Sequence, residues 1–226
     1  MTITFYGHGC FGFAMGGKQV LIDPFISPNP KAEHINVEEI PADYLLLTHG
    51  HQDHVADVEH IAKRTGAKLV SNFEVIGWFG QKGLENAHPM NHGGKASFDF
   101  GTVKYVNAVH SSNMPDGSYG GNPGGFLIES EGKTFYFSGD TALHYDMKLI
   151  GEFYKLDFAC LCIGDNFTMG PEDALIAADF INCQEIIGMH YDTFGYIEID
   201  HAATQQMFAD RGKTLHLMGI GDTLDK

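Results

Sequence analysis

Short apolar runs with a period of two recur along the chain, separated by stretches whose apolar residues fall three or four apart. Residues 3–7 (ITFYG), 19–23 (QVLID), 44–48 (YLLLT), 68–72 (KLVSN), 103–109 (VKYVNAV), 125–130 (GFLIES), 133–138 (KTFYFS), 158–164 (FACLCIG), 185–190 (EIIGMH) and 214–218 (TLHLM) are predicted strands. They are short and rich in β-branched and aromatic side chains. Residues 54–65 place Val55, Val58, Ile61 and Ala62 on one helical face and stop at Gly66. Residues 142–154 do the same with Leu143, Met147, Ile150 and Tyr154. A helix over 171–182 opens with Pro171, Glu172 and Asp173, which suit a first turn. Another over 201–211 follows Asp200 as N-cap and ends at Gly212. Interleaved strands and helices predict an α/β protein.

The segment 111–125, SSNMPDGSYGGNPGG, fits neither period. A loop of that length in a compact domain is usually functional or mobile, so it is expected to shape a pocket. No linker, repeat or low-complexity tract divides the chain. Its 226 residues suit one domain over 1–226, or two pseudo-symmetric halves around a shared core.

Polar residues recur at the ends of the predicted strands. His8 follows 3–7, Asp23 ends 19–23, His49 follows 44–48 and His110 follows 103–109. Asp140 and Asp165 come soon after 133–138 and 158–164, and His190 ends 185–190. Loops beyond strand ends are where α/β sheets build sites. The stretch THGHQDH (48–54) adds His51, Asp53 and His54. His49 and His51 are two apart and share a side in extended chain. Asp53 and His54, at a helix start, can aim at a second point. Imidazole and carboxylate suit zinc and similar divalent ions. With Asp140 as a bridge, seven ligands are enough for two ions sharing a hydroxide.

Charge narrows the partners. The formal net charge is −15, from 14 Lys+Arg against 29 Asp+Glu, which disfavours nucleic acid. No apolar run approaches the ~18 residues of a membrane span, and MTITFYGHG lacks a secretory pattern. Cys10, Cys160, Cys162 and Cys183 form no C-x-x-C pair and are expected to be reduced, buried thiols of a cytoplasmic protein.

His49, His51, Asp53 and His54 resemble the H-x-H-x-D-H signature of the metallo-β-lactamase superfamily. His110, Asp140 (SGDT) and His190 (GMHYD) resemble its later ligands in order. GHGCF, LIDPF, GGNPGGF and IGDNFTMGPEDA resemble the small metal-dependent hydrolases related to L-ascorbate-6-phosphate lactonases. The resemblance implies an αββα four-layer sandwich with metals at one edge. It implies one ion on His49, His51 and His110, a second on Asp53, His54 and His190, and Asp140 between them. The implied activity is metal-dependent hydrolysis of a small-molecule ester, lactone or phosphodiester, with zinc expected and manganese, nickel or iron as substitutes. Asp53 is expected to orient the attacking hydroxide. His8, between two glycines, is expected to contact substrate or donate a proton.

Three other readings stand beside it. One is a non-catalytic metal or small-ligand binding protein. Another is a phosphodiesterase or nuclease of the same fold, although the chain lacks an RNA-binding arm. The last is redox di-iron chemistry, against which His51 stands where a carboxylate is typical. Asp23 is a ligand-orienting carboxylate or a turn residue. Asp165 positions substrate or caps a turn. His88 and His92 are expected to be loop histidines and His60 solvated. Oligomeric state stays open, a homo-oligomer included.

Overall fold

Alternating side chains place one face of each strand on a shared core and the other under helices. In the computed structural model, which describes residues 1–226, this builds two seven-stranded sheets. The strands are β1 (Thr2–Gly7), β2 (Cys10–Met15), β3 (Lys18–Ile22), β4 (Tyr44–Leu46), β5 (Lys68–Asn72), β6 (Ala87–Met90) and β7 (Lys95–Phe98). They continue with β8 (Gly101–Asn107), β9 (Gly124–Ser130), β10 (Lys133–Phe137), β11 (Phe158–Cys162), β12 (Glu185–Met189), β13 (Thr214–His216) and β14 (Thr223–Asp225). The helices are α1 (Gln52–Val55), α2 (Val58–Thr65), α3 (Phe73–Gly80), α4 (Met147–Phe153), α5 (Pro171–Phe180) and α6 (His201–Ala209).

The first sheet runs β14-β1-β2-β3-β4-β5-β6 and the second β13-β12-β11-β10-β9-β8-β7. In each, half is antiparallel and half parallel: β3 to β6 in the first, β10 to β13 in the second. Phe11, Phe13, Val20, Ile22, Tyr44 and Leu46 point from the first sheet into a core of 41 buried residues. Phe13 stacks on Phe135 at 4.9 Å and Phe11 meets Phe137 edge-on at 5.9 Å, joining the sheets. Losing one such buried ring would cost about 3–5 kcal/mol. Cys10, Leu21, Leu45 and Leu47 point the other way and pack with Val58, Ile61, Val75 and Phe79 of α2 and α3. Ala174, Ala177 and Ala178 of α5 cover the second sheet. Helix, sheet, sheet, helix is the αββα sandwich.

The predicted helices over 171–182 and 201–211 end two residues early, and two others depart further from their pattern. The 54–65 stretch breaks between α1 and α2, because Asp57 is taken by the loop after β3. Its carboxylate accepts from the backbone N–H groups of Ile26 (2.6 Å) and Ser27 (2.9 Å). The 142–154 stretch becomes helical only at Met147, because Ala142 donates instead to the Val109 carbonyl. No helix is long and apolar enough to cross a membrane.

Candidate metal centre

Parallel pairing brings the C-terminal ends of β3, β4, β10, β11 and β12 to one edge of the sandwich. Asp23 follows β3, and His49 and His51 follow β4. His110 lies beyond β8, Asp140 beyond β10 and His190 directly after β12. Backbone hydrogen bonds hold these segments together. The Thr48 carbonyl accepts from Gly124 N–H (3.1 Å) and the Tyr105 hydroxyl (2.7 Å). Val109 N–H donates to Thr141 Oγ1 (3.0 Å) and Met169 N–H to the Thr141 carbonyl (2.9 Å). His190 N–H donates to the His8 carbonyl (2.9 Å), tying one sheet to the other.

Two of the three candidate groups that result carry the expected ligands; the third joins His49 and His54 to Asp23. Ring nitrogens of His49, His51 and His110 lie within 4.8 Å of one another, and so do donor atoms of Asp53, His54, His190 and His8. Asp140 stands between them. Its Oδ2 lies 3.0 Å from His190 Nε2, 3.2 Å from His54 Nε2, 3.6 Å from His110 Nε2 and 3.9 Å from His49 Nε2. All seven residues expected as ligands therefore converge, and His8 joins the second group.

The supporting hydrogen bonds fix several tautomers. Asp23 is fully buried; its carboxylate accepts from Thr48 N–H (2.8 Å), Thr48 Oγ1–H (2.6 Å) and His54 Nδ1–H (2.8 Å). Because Thr48 gives its only proton to Asp23, its oxygen must accept from His49 Nδ1–H (2.9 Å). The Nε2 atoms of His49 and His54 are thereby turned toward Asp140. Asp23 orients a ligand, and its left-handed backbone, φ 48°, also makes the turn before Pro24.

His8 is 1% exposed, with Nε2 3.0 Å from Asp53 Oδ2 and Nδ1 2.9 Å from Thr193 Oγ1. An ionised carboxylate cannot donate, so Nε2–H does, and Nδ1 of the neutral ring accepts from Thr193. Burial, followed by the charge of His190, pushes His8 down to about 4.

Electrostatics and orphaned atoms point to a cation. Burial is the largest single influence and would push His54 and His190 down, but Asp140, joined by Asp23 at His54 and by Asp53 at His190, raises His54 well above its ordinary value and His190 to about 9. Burial would raise Asp140 and Asp53. The neighbouring histidines outweigh that too, and both carboxyls are held below the usual range. These carboxylates hold positive charge inside the protein. His54 Nε2, Asp140 Oδ1 and His190 Nδ1 are buried without a hydrogen bond, each an omission worth about 1–3 kcal/mol. An imidazole–carboxylate donor set with unshared nitrogens fits a divalent metal.

The backbone is strained here. Eight non-glycine residues have positive φ, and six surround the site: His8, Asp23, Asp165, Asn166, His190 and Asp192. Such conformations cost about 1–2 kcal/mol each and gather at functional sites. At Gly164 any Cβ would lie 2.0 Å from the His190 carbonyl, so the ligand strand is approached by bare backbone.

A cavity of 270 Å³ opens on the centre, lined by His51, Asp53, His110, Ser111, Asp140, Phe167, His190 and Phe194. A larger one, 690 Å³, lies between β8, β9 and α4, but it contains no converging ligand set. The 111–125 loop does less than its composition suggests. Only Ser111 lines the cavity, and the loop is pinned: Ser112 Oγ accepts from Gly50 N–H (3.0 Å) and Asn72 Nδ2 donates to the Gly120 carbonyl (2.8 Å). Asp165 stays outside the cavity and accepts from Asn166 N–H (2.7 Å), closing a turn. His88 and His92 pack beside Phe98 and Tyr105 and form no metal cluster. His60 is exposed and pairs with Glu38. The four cysteines are buried and unpaired. Phe167, Phe194, Thr48 and Thr193 escaped sequence reasoning. The aromatics fall between predicted elements, where nothing marks them, and the threonines carry no signal without their partners.

A family model described as a β-lactamase superfamily domain matches residues 2–190. The chain is 58% identical over 225 residues to a UPF0173 metal-dependent hydrolase of Flavobacterium johnsoniae, with both chains fully covered. It is 47% identical over 224 residues to another from Methylacidiphilum infernorum, covering 99% of each. The solved structure of a metallo hydrolase from the archaeon Ignicoccus hospitalis superposes with a TM-score of 0.89 at 34% identity, covering 99% of this chain and 97% of that one. Full-length kinship and a buried cage suited to a divalent metal agree: the chain belongs to the UPF0173 metal-dependent hydrolases of the metallo-β-lactamase superfamily.

Proposed function

We propose that this metal-dependent hydrolase uses a dinuclear centre to cleave an ester, lactone or phosphodiester bond in a small molecule. His49, His51 and His110 would hold one divalent ion, Asp53, His54 and His190 the other, with Asp140 available to both. Zinc is the first choice, and manganese, nickel or iron suits the same donors. The observation that carries this reading is Asp140 Oδ2, which lies within 3.9 Å of imidazole nitrogens from both groups. When bound, such ions supply Lewis acidity toward the scissile group and a hydroxide at neutral pH.

Asp53 faces the cavity and is the residue that orients the attacking water. His8 holds Asp53 in place through its Nε2–H. The ring is buried, has both nitrogens engaged and is absent from the cavity wall. We therefore assign it as a positioning residue rather than the proton donor its sequence context suggests. Buried, unpaired thiols suit a reducing compartment, and we place the protein in the cytoplasm.

The test is metal content by plasma mass spectrometry on the native protein, with hydrolysis measured before and after chelation. Two ions per chain and chelation-sensitive turnover are expected. A single ion at full activity would remove the dinuclear centre, and activity indifferent to chelation would remove the mechanism.

A further inference from the structure

The cavity wall changes character abruptly above the ligands. Its polar part is His51, Asp53, His110, Ser111, Asp140 and His190; the rest is Phe167 and Phe194, and no lysine or arginine is present. Phe167 is 52% exposed and Phe194 37%. Phe194 rests on the rings of His8 (5.4 Å) and buried Phe25 (6.3 Å). Phe167 meets Tyr196, itself 77% exposed, edge-on at 6.2 Å. That contact joins the loop after β11 to the loop after β12. Both loops reach these rings through left-handed residues, Asp165 and Asn166 before Phe167, His190 and Asp192 before Phe194. Large rings held open to solvent beside a polar cage mark a surface that something apolar covers.

Charge selects further. A phosphate group is usually met by arginine, lysine or clustered N–H donors as well as by metal. Here the side chains beside the reacting position are two carboxylates, three imidazoles and a serine hydroxyl, with no lysine or arginine, in a chain of formal net charge −15. An uncharged carbonyl needs only polarisation and a nucleophile, which ions bound at the polar end would supply.

We infer that the substrate is an uncharged carboxylic ester or lactone whose acyl part carries a flat apolar group, seated between Phe167 and Phe194. This rests on the hydrolase reading above and narrows it. Water adds its oxygen to the acyl carbon, the acyl carbon–oxygen bond breaks, and the departing alkoxide takes a proton. A carboxylic acid and an alcohol, or a hydroxy acid from a lactone, leave the site. The cavity, at 270 Å³, sits at the small end of ligand pockets, which suits one ring and a short arm.

The experiment compares four compounds on the metal-loaded full chain: methyl phenylacetate, methyl acetate, monomethyl succinate and methyl phenyl phosphate. Methyl phenylacetate should exceed methyl acetate by about tenfold to a hundredfold in kcat/KM. It should exceed both anionic compounds by at least about tenfold. Phe167→Ala should cut the phenylacetate-to-acetate ratio about tenfold, chiefly through KM, while Phe167→Tyr retains it. A second readout needs no turnover. Saturation-transfer NMR on the chelated protein should show phenylacetone, which cannot be hydrolysed, receiving magnetisation at its ring protons, and Phe167→Ala should lose that signal. If the phosphate or the succinate is the better substrate, or if neither Phe167→Ala nor Phe194→Ala changes the ratio, this inference falls and the hydrolase reading stands. If nothing is cleaved but phenylacetone binds through Phe167, the ester assignment falls while the apolar site and the hydrolase reading stand. If phenylacetone does not bind and the ester is not favoured, the inference is overturned outright.

Discussion

His190 and Phe167 line the same cavity and are held in different ways. His190 is 2% exposed, its N–H bonded to the His8 carbonyl and its Nε2 set 3.0 Å from Asp140. Phe167 is 52% exposed, and its ring meets one other aromatic, Tyr196. Beneath the floor runs a network in which one polar group positions the next, as Asp23, Thr48 and His49 do. The rim is two loops, with Phe194 resting on His8 and Phe25 and Phe167 backed only by Tyr196. Chemistry that depends on sub-ångström placement belongs to the first kind of surface. Discrimination between substrates, which tolerates a looser fit, belongs to the second.

Variants can separate the two. Asp53→Ala should lower kcat by roughly 10²–10⁴-fold, the range for a positioned proton-handling group, with the rim intact. Asp23→Asn, which never touches the cavity, should weaken metal affinity by about 10–100-fold in a chelator competition, because His54 loses the carboxylate that orients it. If Asp23→Asn bound metal normally, the floor would not be the coupled network described here. Metal removal should cost stability. At ion concentrations a thousandfold above Kd the linked contribution is about 4 kcal/mol, roughly 8–16 °C in Tm for a chain of this size. Phe167→Ala should leave both metal content and Tm unchanged. A fall in either would erase the distinction between floor and rim.

The smallest effect lies at the far end of the strand that carries His190. Glu185, the first residue of β12, accepts from His216 (2.9 Å) and Lys226 (2.7 Å), which hold its carboxyl at about 2. A depressed folded value means stability that is present above the ordinary 4.5 and lost as pH falls through about 2. The group is partly exposed, so Glu185→Gln should cost under about 1 kcal/mol at neutral pH in urea unfolding. The difference from wild type should vanish in strong acid.

The floor was legible in the sequence and the rim was not, for a physical reason. Metal ligation restricts residue type to a few side chains, so His49, His51, Asp53, His54, His110, Asp140 and His190 stand out wherever they follow a strand. Strand positions were readable too, since β5 falls on its predicted span and the ends of β3, β10 and β12 differ by one residue. β2 was missed although its burial alternates, because its glycine and alanine dilute the pattern. α3, FEVIGWFG, was missed because two glycines and apolar residues on all sides hide its period, although Asn72 caps it by accepting from Val75 N–H. Phe167 and Phe194 carry no local sign of exposure. A phenylalanine in a core and one at a cavity mouth look identical until the chain is folded. His8 was visible as a site residue, but its partner Thr193 lies 185 positions away, so its role was not.

The hydrogen bond from His190 N–H to the His8 carbonyl crosses from the second sheet to the first. The candidate cage therefore closes over a seam between parts of the chain far apart in sequence, a contact that requires a long loop to close. If it forms after the rate-limiting step, such a clasp slows opening more than it speeds assembly. The lifetime of the loaded protein, its resistance to proteases and the rate at which it surrenders its ions would then share one clock: the parting of the two sheets at that seam.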